Sequence, residues 1–180
     1  PYCASEAMLD RQVSAEGKLR RRLVRLDAGD HPVAGQIMGN DPKVMAAAAV
    51  VLREAGFDVI DLNFACPVRK VVSKKRGGYF MGDPEAALEI IREVVRTVPD
   101  RPVTVKLRLS RFDADTEREP FWKISRGAFD AGVAAIAVHA RSVEQKYRGR
   151  ADWEFLSRVK EAFPDRTVIG SGDVLAAADA

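Results

Sequence analysis

The sequence predicts an α/β fold in which buried parallel strands alternate with helices. Short apolar runs recur along the chain, and each is followed by a longer segment with helical apolar spacing. Start and stop residues typical of helices bound these longer segments. Parallel strands that are connected by helices are covered on both faces, so their sequences are continuous apolar runs, as they are here.

The predicted strands follow one another at the spacing of strand–helix units. An edge-strand remnant is expected at 1–7 (PYCASEA), and full strands at 31–39 (HPVAGQIMG), 57–65 (FDVIDLNFA), 101–109 (RPVTVKLRL), 133–141 (VAAIAVHAR) and 166–174 (RTVIGSGDV). The last segment, VLAAADA at 174–180, is typical of the start of a further helix. No linker divides these units, so we expect a single domain.

The predicted helices carry three kinds of boundary signal: an acidic N-cap, a proline at the first helical position, and a glycine or proline after the last turn. Acidic N-caps are predicted at Asp41, Asp83 and Asp152, first-position prolines at Pro42 and Pro84, and helix ends at Gly56, Gly132 and Pro164.

Hydrogen-bonding side chains come late in the apolar runs, and this distinguishes between two architectures. They are Gln36, Asn63, Lys106, His139 and Ser171. An open doubly wound sheet concentrates its site at one crevice, whereas a barrel uses the carboxyl ends of several strands. The pattern favours a (β/α)8 TIM barrel that is incomplete here, with about six of eight βα units present.

Composition narrows the class of protein. Of 180 residues, 47% are hydrophobic and 31% are charged, and no apolar run approaches the length of a membrane span. No secretory leader pattern is visible, so we expect a cytoplasmic protein in which Cys3 and Cys66 are free thiols, and we expect no metal site. The net charge of +3 is compatible with a polyanionic partner but does not require one.

Five strings occur in an order that carries a family resemblance: GQIMGNDP, VIDLNFACPVRKVV, VTVKLRL, VHARSVEQKYRGRADW and VIGSGD. Each is weak alone, but together they resemble the tRNA-dihydrouridine synthases, and most closely the B-type bacterial enzymes. These are flavin enzymes that reduce uridine in tRNA. The resemblance runs from about residue 33 to residue 174.

The resemblance implies a barrel that binds FMN at its carboxyl face, takes its reducing equivalents from NADPH and acts on tRNA. Cys66 coincides with the family's catalytic cysteine, which protonates the uracil ring and must therefore hold a proton at that moment. The implied cofactor-binding residues are Gln36, Asn63, Lys106, His139, Ser171, Gly172 and Asp173. Ser171 stands where the family usually has asparagine.

The resemblance also implies contacts with RNA around the barrel mouth. A basic loop after Cys66 supplies candidate phosphate ligands, namely Arg69, Lys70, Lys74, Lys75 and Arg76. By this resemblance, residues 1–180 would form the central part of the catalytic barrel, with its first and last strands missing. The family's C-terminal helical tRNA-binding domain would also be absent from this chain. An unclosed barrel exposes sheet edges, so we expect the isolated chain to self-associate.

Each assignment has a simpler alternative. Cys66 alone is compatible with a small buried hydrophobe, Lys106 with a side chain that extends to solvent, and the basic loop with a solvated surface. Asn63 is compatible with a turn cap and His139 with a structural hydrogen bond. Two other functions also stay open. One is a flavin oxidoreductase for a free pyrimidine, similar to dihydroorotate dehydrogenase, and the other is an RNA-binding relative without catalysis.

Overall fold

The computed structural model describes residues 3–176, and the predicted helix within 174–180 lies largely outside them. The strands are β1 (Cys3–Ala4), β2 (Met8–Leu9), β3 (Val33–Met38), β4 (Val59–Asn63), β5 (Val103–Arg108), β6 (Ala135–His139) and β7 (Thr167–Ser171). The α-helices are α1 (Asp10–Ser14), α2 (Lys18–Leu23), α3 (Pro42–Glu54), α4 (Arg69–Val72), α5 (Pro84–Thr97), α6 (Glu119–Asp130) and α7 (Trp153–Ala162), and two 3-10 helices span Ala28–Asp30 and Gly77–Gly82.

The strands form one parallel sheet in the order β1, β3, β4, β5, β6, β7, with β2 also paired to β3. It is a half-barrel, which confirms the predicted parallel α/β fold with an incomplete barrel. The strand remnant predicted at 1–7 is present only as β1, in which Cys3 pairs with Val33, and a second short piece, β2, lies beyond the predicted range and pairs Met8 with Ile37 of the same strand. The edge strand is therefore interrupted between residues 4 and 8.

The predicted helix boundaries are confirmed where acidic N-caps were expected. The Asp41 carboxylate accepts hydrogen bonds from the backbone N–H groups of Lys43 and Val44 at 2.9 and 3.0 Å. Asp83 and Asp152 cap α5 and α7 in the same way. Such caps satisfy backbone donors that have no partner within the helix.

The other helix boundaries follow from backbone conformation. The glycines that follow α3 and α6, Gly56 and Gly132, have φ values of +97° and +99°, a conformation that ends a helix and favours glycine. The start of α6 carries no acidic cap in the sequence. Its N-cap is Arg118, with φ +55° and no side-chain hydrogen bond to the helix.

The two faces of the sheet differ in chemistry, and this difference positions the site. Side chains on one face, such as Leu62, Val105 and Ile136, are fully buried in the core with α3, α5 and α6. Because side chains alternate along a strand, the opposite face carries the residues between them. There the sequence supplies small or polar residues, among them Asp61, Thr104, Lys106, Arg108 and Ala137. The concave face of the half-barrel is therefore polar.

The outer strands are more exposed than the central ones. Ile169 of β7 is exposed, as are Val174 and Leu175 after it, whereas the central strands are mostly buried. Self-association through these edges stays a prediction. Within residues 3–176, no helix has both the length and the apolar character that crossing a bilayer requires.

Candidate active site at the carboxyl ends of the strands

The strand register brings the predicted site residues together at one end of the concave face. Asn63 pairs with Lys106 across β4 and β5, and Arg108 pairs with His139, which pairs in turn with Ser171. Residues paired across neighbouring strands have their side chains on the same face of the sheet. Residues from β4 to β7 therefore line one surface.

A chain of hydrogen bonds fixes two predicted amides in place. The Asn63 Nδ2 group donates to Gln36 Oε1 at 2.7 Å, and Gln36 Nε2 donates to the buried Asp61 carboxylate at 2.6 Å. The hydroxyl of Thr104 donates to the other oxygen of Asp61 at 2.6 Å. Burial raises the pKa of Asp61 above its ordinary value, and these two donors oppose that shift. Asp61 thus orients Gln36, a role that the sequence analysis did not assign.

Asn63 also holds the turn that carries Cys66. Its Oδ1 atom accepts hydrogen bonds from the backbone N–H groups of Ala65 and Cys66 at 3.1 and 3.0 Å. This is the turn cap that was left open as the alternative role of Asn63. Because Nδ2 has two hydrogens and uses one on Gln36, one donor is left for a ligand.

The Cys66 turn is braced from its other side by two glycines. The Gly78 N–H donates to the Cys66 carbonyl at 2.9 Å. Gly77 has φ +55°, and a Cβ atom there would lie 2.8 Å from the Cβ of Cys66, so only glycine fits this approach. Cys66 is half-buried and forms no disulfide, as predicted. Its backbone is therefore held in place, and the residue remains partly exposed.

Lys106 is an ammonium with few protein partners. Its Nζ group donates to Ser171 Oγ at 2.9 Å, and that hydroxyl donates to the Val138 carbonyl at 3.3 Å. Burial lowers the pKa of Lys106, and the nearby Asp61 carboxylate opposes that shift. Ser171 therefore positions Lys106, which keeps donor hydrogens for an anionic or carbonyl ligand.

Arg108 is a buried arginine to which the sequence analysis assigned no role. Its Nε group donates to the carbonyl of Ala65 at 2.8 Å, and its Nη1 group donates to the carbonyls of Ser142 and Lys146 at 2.9 and 2.6 Å. It thus ties the residue before Cys66 to the loop that follows β6. The sequence signal that could have identified Arg108 is the alternation of side chains along β5, which places Lys106 and Arg108 on the same face.

The turn after β7, which holds the implied cofactor-binding residues Gly172 and Asp173, is built around Arg141 and Asp173. The Arg141 guanidinium donates to Asp173 Oδ1 at 2.5 Å, and the Ala151 N–H donates to Asp173 Oδ2 at 2.7 Å. Gly172 has φ +105°, and a Cβ there would lie 3.2 Å from the Ala151 Cβ and 3.3 Å from His139 Nε2. The Asp173 carboxylate is therefore occupied by protein groups, and the positive φ and close neighbours of Gly172 favour glycine at this turn.

His139 lies among positive charges and is neutral at physiological pH. Partial burial and the cations Arg108, Lys106 and Arg141 lower its pKa from 6.5 to about 4, and Asp173 opposes the shift. A neutral imidazole keeps one acceptor and one donor nitrogen. Its Nε2 atom lies 3.3 Å from Arg141 Nη1.

The lowered pKa of His139 predicts a pH dependence of stability. Between about pH 4 and 6.5 the unfolded chain binds more protons at this residue than the folded chain, so the free energy of unfolding rises with pH. Urea unfolding of His139→Gln should show a smaller rise over this range than the wild type, and NMR titration should give His139 a midpoint near 4. A midpoint near 6.5 would contradict the described environment.

Four of the five predicted RNA-contacting residues lie on the surface beside the Cys66 turn. Arg69, Lys70, Lys74 and Lys75 are exposed. Arg76 differs, because its side chain is only 13% exposed and its Nη2 atom lies 3.9 Å from the carboxylate of the buried Asp10. It connects the start of the chain to this loop.

The residues present fit a flavin phosphate and ring system. Lys106, Arg108 and Arg141 outweigh Asp61 and Asp173 in charge, so the concave face suits an anion. The partly used Lys106 ammonium and the fixed amides of Gln36 and Asn63 provide donors of the kind that FMN requires.

Comparison with known proteins identifies relatives over most of the chain. The model of the family described as dihydrouridine synthase (Dus) matches residues 2–180. The chain is 38% identical over 153 residues to a probable tRNA-dihydrouridine synthase of Rhizobium leguminosarum, an alignment that covers 85% of this chain and 47% of the relative. It is 38% identical over 157 residues to tRNA-dihydrouridine synthase B of Xanthomonas campestris, with 86% and 46% covered. The chain thus spans about half the length of the curated relatives it matches.

Proposed function

The chain belongs to the dihydrouridine synthase (Dus) family, and from this membership we propose that the protein reduces uridine to dihydrouridine in tRNA, with FMN as cofactor and NADPH as reductant. The observation that carries the proposal is the braced turn that places Cys66 beside the paired ends of β4 and β5, which carry Asn63 and Lys106. A thiol and a fixed ammonium on one concave surface suit the reduction of a carbon–carbon double bond that is conjugated to a carbonyl.

The flavin would be held by residues of several strand ends. Gln36 and Lys106 would contact the ring system, His139 would lie beside it, and Ser171 with the Gly172 backbone would approach its phosphate. When bound, FMN supplies the hydride that NADPH has delivered. Asp61 and Ser171 keep Gln36 and Lys106 in fixed orientations, so these donors need little reorganisation when the cofactor binds.

Cys66 would hold the proton that the uracil ring receives. The thiol has to be protonated at that moment, because a thiolate has no proton to give. Asn63 fixes the backbone on which the thiol sits, and its remaining N–H donor is available to a pyrimidine carbonyl. The protein thus separates two tasks, orientation by Asn63 and proton donation by Cys66.

RNA contacts would surround this mouth. A uridine in folded RNA has to leave its stack to reach a concave site, and that extrusion requires the flanking strand to be held. Arg69, Lys70, Lys74 and Lys75 are exposed at the edge of the Cys66 turn, where they suit phosphate groups. Arg76 would support the loop through Asp10 rather than contact RNA.

The test is a direct product assay. The protein expressed from its complete reading frame is incubated with FMN, NADPH and unmodified tRNA, and dihydrouridine is quantified in the digested RNA. We expect dihydrouridine to form only when all three are present. A protein whose flavin is reduced by NADPH but which forms no dihydrouridine would contradict the proposal and favour an oxidoreductase for a free pyrimidine.

Replacement of Lys106 by methionine should weaken flavin binding without harming the fold. The substitution removes a charge-assisted donor, which should reduce FMN affinity by roughly ten- to a hundredfold in a fluorescence titration. Because burial disfavours the charged form of Lys106, the methionine should maintain or raise the free energy of unfolding of the flavin-free protein. Lys123→Met, on the outer surface of α6, is the control, and equal affinity of both variants would refute the contact.

A further inference from the structure

A cleft of about 700 Å³ lies beside the Cys66 turn. One wall comes from the segment that follows Cys66, and the other comes from the loops that follow β5 and β6. The side chains that matter most are Arg69, Lys75, Tyr79, Arg111, Phe112 and Lys146. Pro67, the residue directly after Cys66, also lines the cleft, so it begins one residue from the thiol.

The cleft contains two aromatic rings that both lie close to one guanidinium. The Cζ atom of Arg111 lies 5.1 Å from the centroid of the Tyr79 ring and 5.2 Å from that of Phe112. Phe112 is 54% exposed. Exposed aromatic rings and arginine planes are the groups on which unpaired nucleobases stack.

The charge of the cleft is strongly positive. Arg69, Lys75, Arg111 and Lys146 contribute four cations, and within residues 3–176 none of them forms an ion pair with a carboxylate. The acidic residue in the lining is Glu144, whose carboxylate already accepts a hydrogen bond from the Asp113 N–H at 2.9 Å. Such a surface is complementary to phosphate.

Two of these cations have a left-handed backbone conformation. Lys75 has φ +54° and Lys146 has φ +57°, a conformation that costs energy for residues with a side chain. Local contacts hold both in place: the Lys75 N–H donates to the Val72 carbonyl at 3.0 Å, and the Lys146 carbonyl accepts from Arg108 at 2.6 Å. The two sides of the cleft are therefore fixed relative to the Cys66 turn.

We propose that this cleft binds an unpaired nucleotide of the RNA strand next to the uridine that enters the active site, with its base stacked on Phe112 and Arg111 and its phosphate near Lys75 and Lys146. The inference rests on the proposed function and extends it to a flanking nucleotide. The cleft lies on the side of the proton donor, Cys66, and therefore on the side of the pyrimidine substrate.

The test uses the protein expressed from its complete reading frame. Its affinity for unmodified tRNA is measured by fluorescence anisotropy. Phe112→Ala should weaken binding by roughly 5- to 100-fold, the range for loss of one base-stacking partner. Lys75→Gln should reduce the slope of log affinity against log salt by about one. Reduction of bound flavin by NADPH without tRNA should be the same in Phe112→Ala and the wild type.

Two controls match these changes outside the cleft. Leu19→Ala removes a side chain that is 51% exposed on α2, and Arg92→Gln removes an exposed charge on α5; neither should alter tRNA affinity. The proposal would be overturned if Phe112→Ala bound tRNA with wild-type affinity. It would also be overturned if the substitution raised the KM for NADPH instead of weakening tRNA binding. If the wild type binds tRNA but forms no dihydrouridine, the proposed function is wrong. The tRNA affinity of Phe112→Ala would still show whether the cleft binds a nucleotide.

Discussion

Cys66→Ala should lose dihydrouridine formation while keeping a flavin that NADPH reduces. Loss of a positioned general acid typically slows a reaction by roughly 10²- to 10⁴-fold, and the alanine has no proton to supply. The flavin contacts proposed for Gln36, Lys106 and His139 do not involve the thiol. Measured separately, flavin reduction in the absence of tRNA should therefore match the wild type while product formation falls.

The chain provides an internal control for this experiment. Cys3 is the other cysteine and is exposed on the edge strand β1, where it pairs through its backbone with Val33. Cys3→Ala should form dihydrouridine at the wild-type rate. Cys66→Ser distinguishes acid catalysis from a packing role, because a hydroxyl maintains the size of the side chain but is a much weaker acid. Full activity in Cys66→Ala would exclude the thiol as proton donor.

The fold could be predicted from the sequence because its signals are local. Continuous apolar runs marked the central strands, and the caps at Asp41, Asp83 and Asp152 depend on residues two or three positions away. The interrupted edge strand was less predictable, since two-residue pieces carry no period of their own. The start of α6 was also hard to predict. Its N-cap, Arg118, is not a usual capping residue, and the backbone conformation there depends on the surrounding loops.

The candidate site was only partly predictable, because its supporting contacts join distant segments. Gln36 and Asn63 were named as ligands of a cofactor, yet the carboxylate that orients Gln36 belongs to Asp61 on the next strand. Arg76 was grouped with the exposed cations of its loop, but the buried Asp10 lies far away in sequence. A side chain's partner across the sheet depends on register, which an apolar pattern alone does not specify.

Arg108 is the clearest case of such a hidden contact, and its replacement should have the largest effect on stability. Arg108→Met would leave three carbonyl oxygens without their donor, those of Ala65, Ser142 and Lys146. Loss of charge-assisted hydrogen bonds and exposure of unsatisfied acceptors should lower the free energy of unfolding by about 3 kcal/mol. Urea unfolding measures this, with Arg92→Met as the control because that exposed arginine lies on the outer surface of α5.

Arg108→Lys separates the support of the Cys66 turn from charge alone. A lysine keeps the positive charge, but its single ammonium lacks the planar fork that reaches carbonyls on two different loops. We therefore expect intermediate stability, flavin affinity close to that of the wild type and slower dihydrouridine formation, since the residue before Cys66 is no longer fixed. If Arg108→Met unfolds at the same urea concentration as the control, the contacts with these carbonyls do not support the site. If Arg108→Lys is as active as the wild type, charge rather than geometry is what the turn requires.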